Sequence, residues 1–345
     1  MRKYAKASEI KVGVIGYGGA FNMGLIHLNQ MKDAGMTPYA VAEIDKERLK
    51  AAEKDFPGIK TYASVAEMLK KSKLDLAVII TPHNTHAKLG LQCLKAGCSV
   101  VCEKPLAIST AECDAMIAEA KKRRLILSTY HNRHWDGSIM EALKRVKAGE
   151  IGELVRIEAH MGGWSKPKDW WRSSRSISGG ILYDWGVHLL EYSLQLLQGA
   201  ELTEVSGFAK CGFWGSQTKW GKDANEDEAY AVARFHTGQW LTLCISSVDS
   251  KPKEGMLEIT GTKGSYIMNY GDWKKITHSK NGTTVSESGP NPESQWPRFY
   301  QNIADHLVKG DTLIITPEWS RRPIHILDLA CKSAKQGKTL KAKYK

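Results

Sequence analysis

Val12-Gly13-Val14-Ile15-Gly16-Tyr17-Gly18-Gly19 is a β-rich apolar run that breaks into glycines, and residues 25–31 behind it carry a helical period. A strand, a glycine turn and a helix in that order let backbone N–H groups close around a pyrophosphate, whose charge is favoured at a helix N-terminus. Gly16, Gly18, Gly19, Ala20 and Phe21 are therefore candidate contacts to a dinucleotide. The third glycine usual for this turn would fall at Phe21; Gly24 comes three residues later, so the turn reads as one carrying a short insertion.

Outward from the turn, residues 10–15, 37–42, 74–80, 99–102 and 125–129 read as short strands separated by amphipathic segments. Among these segments, residues 87–96 stop at Gly97, and 110–124 start after Ser109 and Thr110 with Glu112 close behind. Such alternation predicts an α/β fold, with an N-terminal Rossmann domain over residues 1–131: a doubly wound parallel sheet covered on both faces. Its ligands belong at the C-terminal ends of the strands. After Gly149 the pattern changes. Residues 154–160, 202–210, 228–236, 240–248, 256–260 and 265–269 read as strands without helices between most of them, which predicts a large, mostly antiparallel open sheet. A helix over 181–197 interrupts it, and two more, over 297–309 and 317–335, start near prolines suited to a first turn. The second domain, residues 132–345, is thus α+β, with C-terminal helices able to pack back on the first. Residues 212–227 are polar enough to form a mobile loop.

The chain has 345 residues and is 42% hydrophobic, enough to fill two cores. No apolar run is long enough to cross a bilayer, and the opening segment carries Arg2, Lys3 and Lys6 but no apolar stretch, so it reads as neither membrane-spanning nor secreted. Seven cysteines without a CxxC pair, several in apolar runs, suit reduced thiols in the cytoplasm. His83 with His86, and His131 with His134, have a spacing that could bring two zinc ligands together, but no cysteine cluster or HExxH accompanies them, and no metal is expected. The net charge of +12 invites a nucleic-acid reading. Lys121-Lys122-Arg123-Arg124, however, ends a predicted helix, where cations offset the dipole, and the lysine-rich C-terminal stretch reads as solvated. Without a reading motif the basic field suits an anionic dinucleotide or an acidic substrate instead.

Ala42-Glu43-Ile44-Asp45 ends the second strand and places the Glu43 carboxylate where adenosine ribose hydroxyls could donate to it. That carboxylate would repel a 2′-phosphate and favours NAD over NADP, although Lys46 and Arg48 are near enough to bind the phosphate should Glu43 turn away. Two more strand ends carry polar sequence, Thr81-Pro82-His83-Asn84-Thr85-His86 and Glu103-Lys104-Pro105. Lys104, just past a buried strand and fixed by Pro105, can donate to a substrate hydroxyl and stabilise a developing alkoxide, or can pair with Glu103. In Gly179-Gly180-Ile181-Leu182-Tyr183-Asp184-Trp185-Gly186-Val187-His188, Asp184 and His188 lie four apart on one predicted helical face. A carboxylate there can support an imidazole that removes a hydroxyl proton as hydride leaves the same carbon; the bland alternative is a satisfied core histidine. Trp164, Trp170, Trp171 and Arg172 precede this helix in a glycine-flanked loop. Indole faces stack on sugar C–H surfaces and arginine binds hydroxyl clusters or a carboxylate, though most of the eleven tryptophans must be core.

Taken in order, the GxGG turn, the TPxxxH segment, the EKP tripeptide and the GGxxxDxxxH stretch resemble the Gfo/Idh/MocA family of glucose-fructose oxidoreductases and inositol dehydrogenases, from about Lys11 to the last helix. The resemblance implies a Rossmann domain followed by an open-sheet domain, a site between them, and homodimers or homotetramers assembled through the outer face of the sheet. It also implies that Lys104 orients the substrate hydroxyl, His188 is the general base, Asp184 is its partner and a substrate contact, and Glu103 helps hold the nicotinamide ribose. Thr81, Pro82, Asn84 and His86 would line the cofactor. Tyr130, Asn132, Arg133, Trp164, Trp171, Arg172 and Tyr183 would line the substrate, with His134 standing where a second arginine is common. The activity expected is NAD-dependent oxidation of a secondary alcohol on a sugar, glycoside or cyclic polyol. Two alternatives use the same residues. One is an NAD-dependent glycosidase working by transient oxidation, elimination and re-reduction, with Tyr130 or Tyr183 as second acid or base. The other is a non-catalytic NAD-binding metabolite sensor.

Overall fold

The computed structural model describes residues 4–279 and 281–343. The chain divides into two compact units: residues up to Asn132 with Pro297–Arg321, and Arg133–Trp296 with the residues from Arg322 onward. Among the described residues no helix is long and apolar enough to cross a membrane.

The first unit is built on six parallel strands, β1 (Lys11–Ile15), β2 (Thr37–Ala42), β3 (Lys60–Tyr62), β4 (Leu76–Ile79), β5 (Ser99–Cys102) and β6 (Leu127–Thr129). Their spatial order is β3-β2-β1-β4-β5-β6, so the winding reverses between β1 and β4, where a doubly wound sheet opens its ligand crevice. β4 and β5 are buried along their whole length, as strands covered on both faces must be. Three connecting helices begin on side-chain caps: Asp45 accepts from Glu47 N, Ser64 from Glu67 N and Ser109 from Glu112 N. The edge strand β3 was not among the expected strands. Its three residues, Lys60-Thr61-Tyr62, are all at least partly exposed and show no apolar run.

The second unit holds β7 (Leu154–Gly162), β8 (Leu202–Lys210), β9 (Glu228–Phe235), β10 (Trp240–Ser246), β11 (Leu257–Gly261), β12 (Gly264–Met268), β13 (Asp272–His278), β14 (Thr284–Pro290) and β15 (Leu340–Lys341) in one sheet. The order is β14-β13-β12-β11-β7-β10-β9-β8-β15. β7 and β10 are parallel and the other neighbours antiparallel, which makes the sheet mixed and mostly antiparallel. Residues alternate between buried and partly exposed along β9 and β10, and the helix Gly186–Leu196 covers the buried face of β7 and β10.

Two local expectations need correction. The helix expected over 181–197 is a 3₁₀ turn, Ile181–Tyr183, followed by a separate helix, Gly186–Leu196, so Asp184 lies in the break ahead of the helix that carries His188. Gly179 and Gly180, at φ 93° and 120°, end the short helix Arg175–Ser178 and lead into the 3₁₀ turn: a Cβ on Gly180 would stand 2.8 Å from the Glu226 carboxylate, which accepts from Ile181 N. Residues 212–227, expected to be a mobile loop, are tied down. Phe213 N and Trp214 N donate to the Asp227 carboxylate, Ser176 N donates to Asp223, and Asn225 N donates to Ser173 O.

Candidate cofactor and catalytic sites

Gly16 leaves β1 at φ 99°, and a Cβ there would stand 2.3 Å from the Ile80 carbonyl at the end of β4, so no larger residue is accommodated. Gly18 has open space where a Cβ would be, which leaves its backbone approachable. The missing third glycine is Gly24. It sits in the following helix, where a Cβ would meet the Tyr17 ring at 2.5 Å and Gly16 O at 3.1 Å, so close strand–helix packing is kept three residues later. Ala20 and Phe21 belong to the exposed insertion, and Asn22 enters the helix from the left-handed region at φ 50°.

Two charges flank this turn. The Glu43 carboxylate accepts from Tyr17 N at 2.6 Å, Ile44 N at 2.7 Å and Asp45 N at 3.1 Å, which fixes it against the turn with lone pairs to spare. The Arg48 guanidinium rests on Gly19, one nitrogen lying 1.2 Å from where a Cβ would be. A close-approach glycine, an open glycine and a fixed carboxylate fit a dinucleotide.

His86 lies between the segments that follow β4 and β5, its Nδ1 2.7 Å from Pro105 O and its Nε2 2.8 Å from Thr81 O. Burial pushes the imidazole below its ordinary value against the pull of both carbonyls, so it is neutral near pH 7 and donates to one of them. Both nitrogens face backbone carbonyls, so His86 acts as a brace for these segments, contrary to the cofactor contact expected of it. Thr81 bonds Thr85 through its hydroxyl, Pro82 O accepts from Thr85, and Asn84 is exposed.

Glu103 accepts from Lys104 N at 3.0 Å and from Nε2 of the fully buried His27 at 3.0 Å; His27 Nδ1 in turn lies 2.6 Å from the Tyr300 hydroxyl. Burial works to raise the Glu103 carboxyl, but the His27 hydrogen bond and the charges of His27 and Lys104 more than offset it, and the group lies below the ordinary glutamate value. The chain from Tyr300 through His27 to Glu103 fixes the backbone from which Lys104 projects.

In the second unit Arg172 donates to Asp184 at 2.9 Å, with its guanidinium over the rings of Trp170 and Trp171. His188 is mostly buried, its ring 5.5 Å from that of Trp185. The other face of this region is a cage around Arg133, formed by Trp185, Tyr270 and Trp296 and closed by hydrogen bonds to Asp136 and the Tyr270 hydroxyl. Burial opposes the Arg133 charge, yet Tyr192, Tyr270 and Asp136 more than restore it and raise the group further. His134, in the place where an arginine is common, is 2.5 Å from Glu191 on the His188 helix. Asn132, Trp171 and Arg172 are partly exposed, and Trp164 strongly so.

Two expected substrate contacts are core residues. Tyr130 donates to Gln30 at 2.6 Å and packs among His27, Phe299 and Tyr300; Tyr183 is 1% exposed. Strand-end and motif-flanking tyrosines resemble site residues in sequence, but their apolar bodies fill cores here, and a glycosidase mechanism drawing its second acid from either loses that group. Sequence reasoning passed over His27, Tyr300 and Trp185. A histidine four residues into the helix entered at Met23, on its buried side, is the signal that could have found the first.

Models of the oxidoreductase family match the chain at residues 10–131, as its NAD-binding Rossmann fold, and at 144–342, as its C-terminal alpha/beta domain. The chain belongs to the Gfo/Idh/MocA oxidoreductase family. Its first unit is therefore an NAD(P)-binding Rossmann domain, the family's relatives being named for NAD(+) or NADP(+). It is similar to myo-inositol 2-dehydrogenase of Thermotoga maritima, 31% identical over 74% of each chain. It is also similar to scyllo-inositol 2-dehydrogenase (NADP(+)) IolW of Bacillus subtilis, 23% identical over 97% of this chain and 96% of the relative. A levoglucosan dehydrogenase solved with NADH and levoglucosan shares the fold, with a TM-score of 0.81 and 19% identity over 97% of this chain and 99% of that one. Among the described residues no group of three or more His, Cys, Asp or Glu side chains could hold a metal ion.

Proposed function

We propose that the protein oxidises a secondary alcohol on the ring of a sugar, glycoside or cyclic polyol, using NAD. The observation that carries this reading is the strand-end pair Glu103 and Lys104, held by buried His27 and Tyr300 at the C-terminal edge of an NAD-binding sheet. The inositol dehydrogenases among the relatives support a polyol substrate. When bound, NAD supplies the hydride acceptor. The Gly16, Gly18, Gly19, Ala20 and Phe21 turn holds its pyrophosphate, Glu43 the adenosine ribose, Thr81, Pro82 and Asn84 the nearby face, and Glu103 the nicotinamide ribose.

Lys104 donates to the reacting hydroxyl and stabilises negative charge building on its oxygen, while His188 takes the proton. Asp184 supports the imidazole, and Asn132, Arg133, Trp164, Trp171 and Arg172 line the substrate. Supplying purified protein and NAD with a panel of inositols, pyranoses and glycosides, and following reduced nicotinamide by absorbance, tests the reading. Silence across the panel with demonstrated NAD binding would overturn it. Glu43 favours NAD; Glu43→Ala is expected to raise use of NADP, with Arg48 on Gly19 as the waiting phosphate partner.

We propose further that copies of the chain associate through the open face of the mixed sheet. Phe208, Tyr230, Cys244 and His160 are successive cross-strand neighbours there, with Phe208 62% exposed and both His160 ring nitrogens buried without a hydrogen bond. Sedimentation velocity of Phe208→Glu should show a smaller species than wild type; identical sedimentation would refute this assembly.

A further inference from the structure

Trp164, Phe213 and Trp214 form one aromatic group on the second unit, with ring centroids 5.5 Å apart for Trp164 and Phe213, 5.7 Å for Trp164 and Trp214, and 4.6 Å for Phe213 and Trp214. Trp164 is 57% and Phe213 48% exposed. Surface aromatics held together in this way, with their faces left to water, are uncommon without a ligand. They are also rigidly placed. Trp164 bridges to Val248, the Trp214 indole donates to Ser247 O, and Asp227 holds the Phe213 and Trp214 backbone.

The charge that the segments bearing the rings carry is one-sided, the neighbouring strand end adding one carboxylate, Asp249, beside Gly162. The two segments that carry them, residues 163–176 and 210–227, contain four carboxylates, each engaged within the segments or by neighbouring backbone. Asp169 accepts from Lys219 N, Asp223 from Ser174 and Ser176, Asp227 from Phe213 N and Trp214 N, and Glu226 from Ile181 N with Arg175 beside it. Lys166, Lys168, Lys210, Lys219 and Lys222 are exposed and enter no ion pair among the described residues. Lys168 and Lys219 instead stand over the rings of Trp170 and Trp220. The same segments are joined to the Asp184 region, because Asn225 donates to Arg172 O and Arg172 pairs with Asp184.

We propose that this platform binds a further sugar unit of an acidic oligosaccharide, one bearing carboxylates, next to the ring that is oxidised. Indole and phenyl faces take the C–H surface of a pyranose, and the uncompensated lysines select a carboxylate over a neutral ring. This rests on the sugar-dehydrogenase reading and extends it to the substrate's class and length.

Intrinsic tryptophan fluorescence of the full chain, titrated with tetragalacturonate and with its fully methyl-esterified, uncharged counterpart, tests it. Wild type should bind the acidic tetramer at least about tenfold more tightly than the ester, and added salt should erase much of the difference. Phe213→Ala should weaken both ligands about threefold to tenfold, and the Lys219→Glu, Lys222→Glu pair should weaken only the acidic one. Both replacements are at exposed positions, and an unchanged thermal transition establishes that each variant is folded.

Equal binding of the two tetramers, no binding of either, or affinities indifferent to Phe213→Ala would overturn the proposal, as would a drop in solution mass on that substitution, which would make the patch a subunit contact. The dehydrogenase reading fails by a different observation. That is absence of hydride transfer from every ring alcohol in wild type, recorded in the same preparation that binds tetragalacturonate.

Discussion

Glu103 of the dinucleotide-binding unit and Asp184 of the sheet unit are carboxylates with a basic partner at almost the same distance, 3.0 Å to His27 and 2.9 Å to Arg172. Their surroundings differ, most of all at the partner. His27 is completely buried and Glu103 keeps 14% of its side chain in solvent, whereas Asp184 and Arg172 keep 30% and 22%. A buried pair cannot be broken without stranding a charge, and it fixes geometry at the expense of adaptability. A partly exposed pair can exchange partners at little cost. On the proposed function, the cofactor half is thus built once and locked, while the substrate half is held by a contact that can be exchanged.

The largest effect should come from the residues that the two halves present to chemistry. Lys104→Met and His188→Ala are each expected to lower turnover by about 10²- to 10⁴-fold, the range for a positioned proton-transfer or charge-stabilising group. NAD affinity should survive His188→Ala, as measured by fluorescence titration. If either variant keeps turnover near that of wild type, the residue concerned has no part in the chemistry.

Next comes the buried pair itself. His27→Ala removes the partner of Glu103 and is expected to cost about 3–5 kcal/mol of stability, read from urea unfolding. His27→Gln, which keeps a donor, should recover part of both stability and NAD affinity. Recovery of neither would mean that His27 serves only as packing.

Acid should weaken the first unit through two of its titratable groups. The folded-state value of Glu103 lies below the ordinary one, so its stabilising contribution is complete above about pH 4.3 and is lost as pH falls through the folded value. His86 is a buried base whose folded value is also lowered. The unfolded chain therefore takes up the proton first, and stability declines as pH drops below about 6.5. His86→Gln should flatten the part of the unfolding-midpoint profile between neutrality and the carboxylate range. A profile identical to that of wild type would show that His86 does not set this sensitivity.

The contrast between the halves also governs how much was legible in the sequence. β5 appears at the bounds its β-rich run predicts, because a strand buried on both faces announces itself as a short apolar run; β2 also appears at its expected bounds, although only Ala40, Val41 and Ala42 of it are buried. β14, Thr-Val-Ser-Glu-Ser-Gly-Pro, is exposed along nearly its whole length, and its register comes from β13 alone, so no period betrayed it. The parallel pairing of β7 with β10 depends on where residues 163–239 return the chain, which no local pattern encodes. At the site, the motif residues stood out by spacing, but Asp184 was placed on a helix that in fact starts only at Gly186, and Tyr130 was read as a ligand when its partner, Gln30, lies a hundred positions away. Long-range packing decided each of these.

The smallest expected effect is the one that most sharpens the comparison. Arg172→Gln removes the cation from a pair exposed enough that its net contribution is about 0–1 kcal/mol, so the unfolding midpoint should move far less than on His27→Ala. The glutamine keeps a donor for Asp184 but cannot hold the charge over Trp170 and Trp171. With Asp184 as substrate contact and Arg172 as its replaceable partner, KM should rise while kcat changes little, because the lost contact acts on the bound ring and not on the hydride-donating carbon. A fall in kcat without a change in KM would place Arg172 with Lys104 and His188 in the chemical step. A loss of stability comparable to that of His27→Ala would mean that the two carboxylates are held alike after all, and that the substrate half is as rigidly built as the cofactor half.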